Sequence, residues 1–178
     1  MSRIGKLPVA VPQGVKAAVN GAVVSVEGPK GKLAYEVKSG VKVEFSNNEF
    51  VVSLEGSDSQ ARANYGTTRA IINNMVQGVN TGWKKVLELH GVGYTAKQQG
   101  NDIVLSVGFS HDVTMTVPNG VSAKVAKTSI ELESTDRELV GTFAAKIRDV
   151  QPPEPYLGKG IRYAGEKVRR KAGKAGKK

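Results

Sequence analysis

Val121-Ser122-Ala123-Lys124-Val125 and Ile130-Glu131-Leu132-Glu133 lead into a stripe of Leu139, Phe143, Ile147 and Val150. The first two stretches alternate apolar and polar residues, the pattern of strands with one buried face. The stripe falls on every third or fourth residue, which is one face of a helix. Thr135 and Glu138 have capping-box spacing ahead of it, and Pro152-Pro153 stops it. The same succession occurs earlier in the chain. There, Val41-Lys42-Val43-Glu44-Phe45 and Phe50-Val51-Val52-Ser53-Leu54 precede a stripe of Ala61, Tyr65, Thr68, Ile72, Met75, Val76 and Val79. Ser57 to Ser59 supply candidate N-caps. The two helical periods align at Gly66-Thr67 and Gly141-Thr142, with Arg62 matching Arg137.

The match extends upstream. Ala22 to Val26 and Leu33 to Val37 correspond to Ile103 to Val107 and Val113 to Val117, with Gly28-Pro29-Lys30-Gly31 and Asn119-Gly120 as turns. Trp83 to Gln98 supplies the first strands of the second copy, as Val9 to Val19 does in the first. The pattern predicts an α+β fold of two tandem duplicated domains. Each is an antiparallel or mixed β-sheet packed against one α-helix, and a basic C-terminal tail follows. The expected division is 1–81, 82–155 and 156–178, with the cut near Thr81-Gly82. Two repeats do not make a solenoid, so gene duplication is the simpler account.

The chain has 178 residues, 39% of them apolar, which is enough for a core and excludes a disordered chain. Its formal charge of +10 favours anionic partners. The charge is unevenly placed. From Tyr156 to Lys178 nine basic residues stand against one acid, Glu166, a surplus of +8 that leaves +2 for residues 1–155. No apolar run approaches the ~18–20 residues of a spanning helix, and no signal-peptide core opens the chain, so a cytoplasmic protein away from membranes is expected. The absence of cysteine excludes disulfides, thiolate zinc sites and thiol nucleophiles.

The sequence offers little catalytic chemistry. His90 and His111 stand in separate strand or loop settings without a second ligand at metal spacing. Gly91-Val92-Gly93-Tyr94 lacks the third glycine and following helix of a dinucleotide site, so a bend or bulge is expected. No GxxxxGK[ST] phosphate loop occurs. The acids alternate singly with apolar strand positions rather than converging. Catalytic residues, metal, cofactor and small-molecule substrate are therefore not expected.

The basic segment is the candidate site. Gly158 and Gly160 flank Lys159, and a backbone without Cβ atoms can approach a partner closely. Tyr156 and Tyr163 can stack on bases or sugars, and Arg162, Arg169 and Arg170 offer forked donors to phosphate. Lys167, Lys171 and Lys174 add charge. Ile161 and Val168 suggest docking on the chain's own body, with order expected to end near Arg162 in the absence of RNA. Charge alone leaves DNA, membrane and RNA open. No recognition helix is evident, since the helix from about Ser59 to Val79 carries only Arg62 and Arg69.

The stretch Pro153-Glu154-Pro155-Tyr156-Leu157-Gly158-Lys159-Gly160-Ile161-Arg162-Tyr163 resembles the C-terminal signature of the bacterial large-subunit (50S) ribosomal protein family L6 (universal uL6). Ser2-Arg3-Ile4-Gly5-Lys6 resembles that family's opening, and Gly91-Val92-Gly93-Tyr94 and Gly108-Phe109-Ser110-His111 resemble its second-domain motifs. The resemblance implies two duplicated α/β domains in a structural component of the large subunit. It implies 23S rRNA, bound mainly by the second domain and tail near the sarcin–ricin loop, with neighbouring large-subunit proteins and, indirectly, translation factors as partners. Carried over residue by residue, it points to Tyr156, Gly158, Lys159, Gly160, Arg162 and Tyr163; the cations beyond rest on charge alone. Leu157 stands where the family usually has lysine, Asp112 where it usually has proline, and Gln151-Pro152 where a basic residue often precedes the motif.

Overall fold

In the computed structural model, which describes residues 3–56 and 58–173, the chain divides into two units. One comprises Met1–Trp83 with Thr135–Arg137, the other Lys84–Ser134 with Glu138–Lys178.

The first unit runs β1 (Val9–Ala10), β2 (Lys16–Asn20), β3 (Val23–Gly28), β4 (Gly31–Glu36), β5 (Val41–Ser46), β6 (Glu49–Leu54) and α1 (Ser59–Asn80). Its strands form two three-stranded sheets, β1-β6-β5 and β2-β3-β4, rather than one continuous sheet. The ladders are antiparallel, with Val43 opposite Val52 and Val26 opposite Leu33. Alternation turns Val24, Val26, Val41, Val43, Phe50 and Val52 into one core. Asn47 and Asn48 close the β5–β6 hairpin with φ of 52° and 60°. Two positive φ values match the twist of a two-residue hairpin, and Asn tolerates them. All seven residues of the predicted α1 stripe are buried. Asp58 is the N-cap, extended and without a side-chain cap bond, while Ser57 lies outside the described residues.

The second unit repeats this order with β7 (Trp83–His90), β8 (Thr95–Gln99), β9 (Asp102–Ser106), β10 (Val113–Thr116), β11 (Val121–Ala126), β12 (Ser129–Ser134) and α2 (Arg137–Val150). The sheet β8-β9-β10 matches β2-β3-β4, and β11-β12-β7 matches β5-β6-β1. The duplication is therefore visible in strand order as well as in sequence. Leu87, Ile103, Leu105, Ile130 and Leu132 are fully buried. On α2, Val140, Phe143, Ala144 and Ile147 are buried, whereas Leu139 and Val150 are half-buried. The buried face is thus turned towards Val140 and the small Ala144, which a search for large apolar residues passes over. One element has no counterpart in the first unit: β13 (Gly160–Tyr163), added beside β7. Among the described residues no helix is long and apolar enough to cross a membrane.

Candidate nucleic-acid interface

The basic segment enters the second unit as a strand. Gly160, Ile161, Arg162 and Tyr163 of β13 lie antiparallel to His90, Leu89, Glu88 and Leu87 of β7. The ladder continues as Ala164 N–H donates to the Val86 carbonyl (2.9 Å), and Ile161 N–H donates to Gln151 (2.7 Å). Ile161 is fully buried. Burying such a side chain stabilises by about 1.5–3 kcal/mol, so this residue anchors the remainder of the basic segment.

Before the strand, the chain makes a tight turn around a carboxylate. The Glu154 side chain accepts the backbone N–H of Tyr156 (2.7 Å), Leu157 (2.6 Å) and Lys159 (3.4 Å). These donors, led by Tyr156, hold its carboxyl below the usual carboxylate range against the opposing effect of desolvation. The turn closes as Gly158 N–H donates to the Glu154 carbonyl (3.1 Å) and Glu154 N–H to Lys159 (2.8 Å). Gly158 has φ +76° and Gly160 φ +140°. A Cβ on Gly160 would lie 2.6 Å from the Pro152 carbonyl oxygen. Both glycines are buried, so their missing side chains serve the chain's own turn.

The side chains of β13 are engaged by the unit beneath them. Arg162 Nη2 donates to His90 Nδ1 (3.3 Å), and its Nε lies 3.8 Å from Glu88. A guanidinium has no acceptor, so Nδ1 is the bare nitrogen and Nε2–H donates to Glu88 (2.9 Å). The Tyr163 ring has Lys85 Nζ 5.6 Å and the Arg148 guanidinium 5.9 Å from its centroid. Arg148 in turn forks onto Glu166, Nε at 3.1 Å and Nη2 at 2.6 Å. Glu166 also accepts Tyr163 N–H (3.0 Å). Arg148 first, and this amide second, depress the Glu166 carboxyl, while the Glu166 bond raises the Arg148 guanidinium.

Contacts do not stop at Arg162, where the sequence reading placed the end of order. Glu166 N–H bonds the Tyr163 carbonyl (3.0 Å) and Lys171 N–H bonds Pro155 (2.7 Å). The chain thus folds back on the Glu154 turn, and a Cβ on Gly158 would come 3.2 Å from Arg170 Nη2. Val168 is half-buried. Lys174 lies outside the described residues.

The structure therefore sorts the sequence candidates. Gly158, Gly160, Arg162 and Tyr163 are built into the second unit. Lys159, Lys167, Arg169, Arg170 and Lys171 are exposed, and among the described residues none of them has a salt bridge. Tyr156 stands beside them, 57% exposed. Sequence reasoning passed over Lys85, Glu88 and Arg148, and it noted His90, Glu154 and Glu166 without assigning them a part in holding this arrangement. One signal was available, since Glu166 is the lone acid in the basic run. Chemically the surface is a set of cations with an open aromatic ring, suited to phosphates and bases. Among the described residues no group of three or more His, Cys, Asp or Glu could hold a metal ion.

The family model for "Ribosomal protein L6" matches residues 11–82 and 90–164, one stretch for each copy. "Large ribosomal subunit protein uL6" of Listeria monocytogenes serotype 4a (strain HCC23) is 51% identical over 99% of this chain and all of its own length. The proteins of that name from Carboxydothermus hydrogenoformans and Geotalea daltonii are 49% and 48% identical, each over 100% of this chain and over 98% and 100% of their own lengths. With both copies matched and half the residues shared end to end, the chain belongs to the ribosomal protein L6 family, a family of structural ribosomal proteins rather than enzymes.

Proposed function

We propose that this protein is a structural component of the large ribosomal subunit. It binds 23S rRNA mainly through its second domain and C-terminal segment, near the sarcin–ricin loop and the region where translation factors dock. The observation that carries this reading is the disposal of charge. Glu154 and Glu166, the acids in and beside the basic segment, are spent on its own amides and on Arg148. Five exposed cations, Lys159, Lys167, Arg169, Arg170 and Lys171, are left facing solvent. An anion with closely spaced charges is the partner such a surface fits.

Within the site, Lys159, Lys167, Arg169, Arg170 and Lys171 neutralise phosphates and Tyr156 packs on a sugar or base. Gly158, Gly160, Arg162 and Tyr163 shape the segment that presents them, and Lys174 extends the charge. The functional division is 1–81, 82–155 and 156–178, the last being a segment whose first strand completes the second domain's sheet. Neighbouring large-subunit proteins are further partners, and effects on translation factors follow from holding local RNA shape. The place of action is the cytoplasmic ribosome. Support comes from the names of the relatives, which are large-subunit proteins, and from their coverage of the whole chain.

The test is co-sedimentation with large ribosomal subunits through a moderate-salt wash, followed by crosslinking to rRNA. Retention, with crosslinks from Lys159 to Lys171 on 23S rRNA, is expected. Loss from the particle, or crosslinks confined to residues 3–81, would overturn the reading.

A further inference from the structure

Two glycine loops remain unused by the interface described above. Gly91-Val92-Gly93 leaves β7 at His90, the residue opposite Gly160, so it emerges at the sheet end where the basic turn enters β13. Val92 at its tip is 96% exposed. Gly108-Phe109-Ser110-His111 follows β9. Both loops are keyed to one ring. A Cβ on Gly91 would lie 2.8 Å from the Tyr94 ring and one on Gly108 would lie 3.2 Å from it. Gly91, Gly93 and Gly108 have φ of +153°, +81° and +86°, so the loop shapes themselves require glycine. The far end of the second loop is tied down as Ser106 Oγ–H donates to Asp112 Oδ1 (2.5 Å). Asp112, which replaces the family's usual proline, thus fastens the loop by a hydrogen bond where a ring would stiffen it.

On this fixed loop Phe109 and His111 stack at 5.9 Å between ring centroids and 17° between planes, and Phe109 remains 46% exposed. An exposed aromatic pair costs solvation, and neither ring closes a core. We propose that the Phe109–His111 pair is a stacking platform for an unpaired RNA base, held by Tyr94 and the Ser106–Asp112 bond. The inference rests on the RNA-binding reading and names the feature recognised. The cations of the C-terminal segment retain any RNA backbone, whereas a flat ring pair accepts only a base that is out of its helix. Duplexed bases are stacked on each other and present no face to Phe109.

The experiment uses the full chain with a single-stranded oligoribonucleotide of about ten nucleotides, one of them 2-aminopurine, and the same strand in a duplex. Phe109→Ala and Phe109→Leu should weaken single-strand binding about five- to a hundredfold at unchanged salt slope, and abolish the quenching of 2-aminopurine. Phe109→Trp should keep both, and duplex binding should not change in any variant. Thermal melts of the variants should match the parent, because Phe109 is no core residue. Equal single-strand binding by Phe109→Ala and the parent overturns the platform while leaving the RNA-binding reading intact. So does equal loss on single strand and duplex, or retention of quenching in Phe109→Leu. Failure of the parent to bind either probe overturns the RNA-binding reading together with the platform.

Discussion

Replacing Glu166 by Gln removes the charge on which the basic segment is fastened to the second unit. Its carboxylate receives two bonds from Arg148 at 2.6 and 3.1 Å and one from Tyr163 N–H at 3.0 Å. The side chains of Arg148 and Glu166 are 27% and 24% exposed, between a surface pair and a buried one. Surface pairs contribute about 0–1 kcal/mol, and breaking a buried pair costs about 3–5 kcal/mol. A loss of about 2 kcal/mol is therefore expected, since glutamine still accepts the amide but offers Arg148 no charge. In a domain of under 100 residues that corresponds to about 8–15 °C in the midpoint of the second unit. Calorimetry measures the midpoint, and hydrogen exchange at Tyr163 and Ala164 reports the local release. The pH dependence follows from the depressed carboxyl of the folded state. The difference between parent and variant is full above the unfolded value of about 4.3, and it is lost as pH falls through the lower folded value. No midpoint difference at neutral pH would refute the reasoning, as would a difference that fails to narrow anywhere below about pH 4.

Neutralising Lys159, Lys167, Arg169, Arg170 and Lys171 to Gln should lower the log–log salt slope of rRNA binding by about 4, from roughly 0.7–0.9 per phosphate; titrations at several salt concentrations measure it. Deleting the chain from residue 159 is a poorer test, because it also removes β13. Gly160→Ala places a Cβ against the Pro152 carbonyl at φ +140° and should cost about 3 kcal/mol or more. Gly165→Ala, at φ +78° with open space around it, should cost only about 1–2 kcal/mol, and denaturant titrations compare the two. Ile161→Ala should destabilise the second unit by about 2–5 kcal/mol and expose the 154–171 segment to limited proteolysis before the rest of the chain opens.

The repeats were legible because their signals are local. Val43 and Val52 announce buried faces by alternation, and Tyr65, Ile72 and Val79 announce a helix by spacing. The strand Gly160–Tyr163 was not legible as a strand. Four residues carry too little pattern, and its reason for pairing lies in the open edge of β7, far away in sequence. The same distance hid Arg148 from Glu166 and Glu88 from Arg162, since ion pairs across a sheet leave no periodic trace. Gly158 and Gly160 were found for a close approach to a partner, but the close approach of Gly160 to Pro152 was not legible, because a sequence does not show which backbone a glycine meets. Half-burial of Leu139 and Val150 reflects a helix face centred on small Ala144, which carries little hydrophobic signal.

The pairing of β13 with β7 also bears on the chain before it meets any RNA. Without β13, the outer edge of an eight-residue strand would show unpaired amides and carbonyls to any passing polypeptide. With it, the half of that edge from Leu87 to His90 is covered, and the exposed edge there becomes that of a four-residue strand carrying Arg162. β13 is synthesised after every strand it joins, so during translation the β7 edge stays open until the basic segment arrives. The element proposed to bind RNA is thus also the one that ends the chain's period of exposure to self-association. A variant that cannot seat Ile161 would be a burden on chaperones as well as a weak binder.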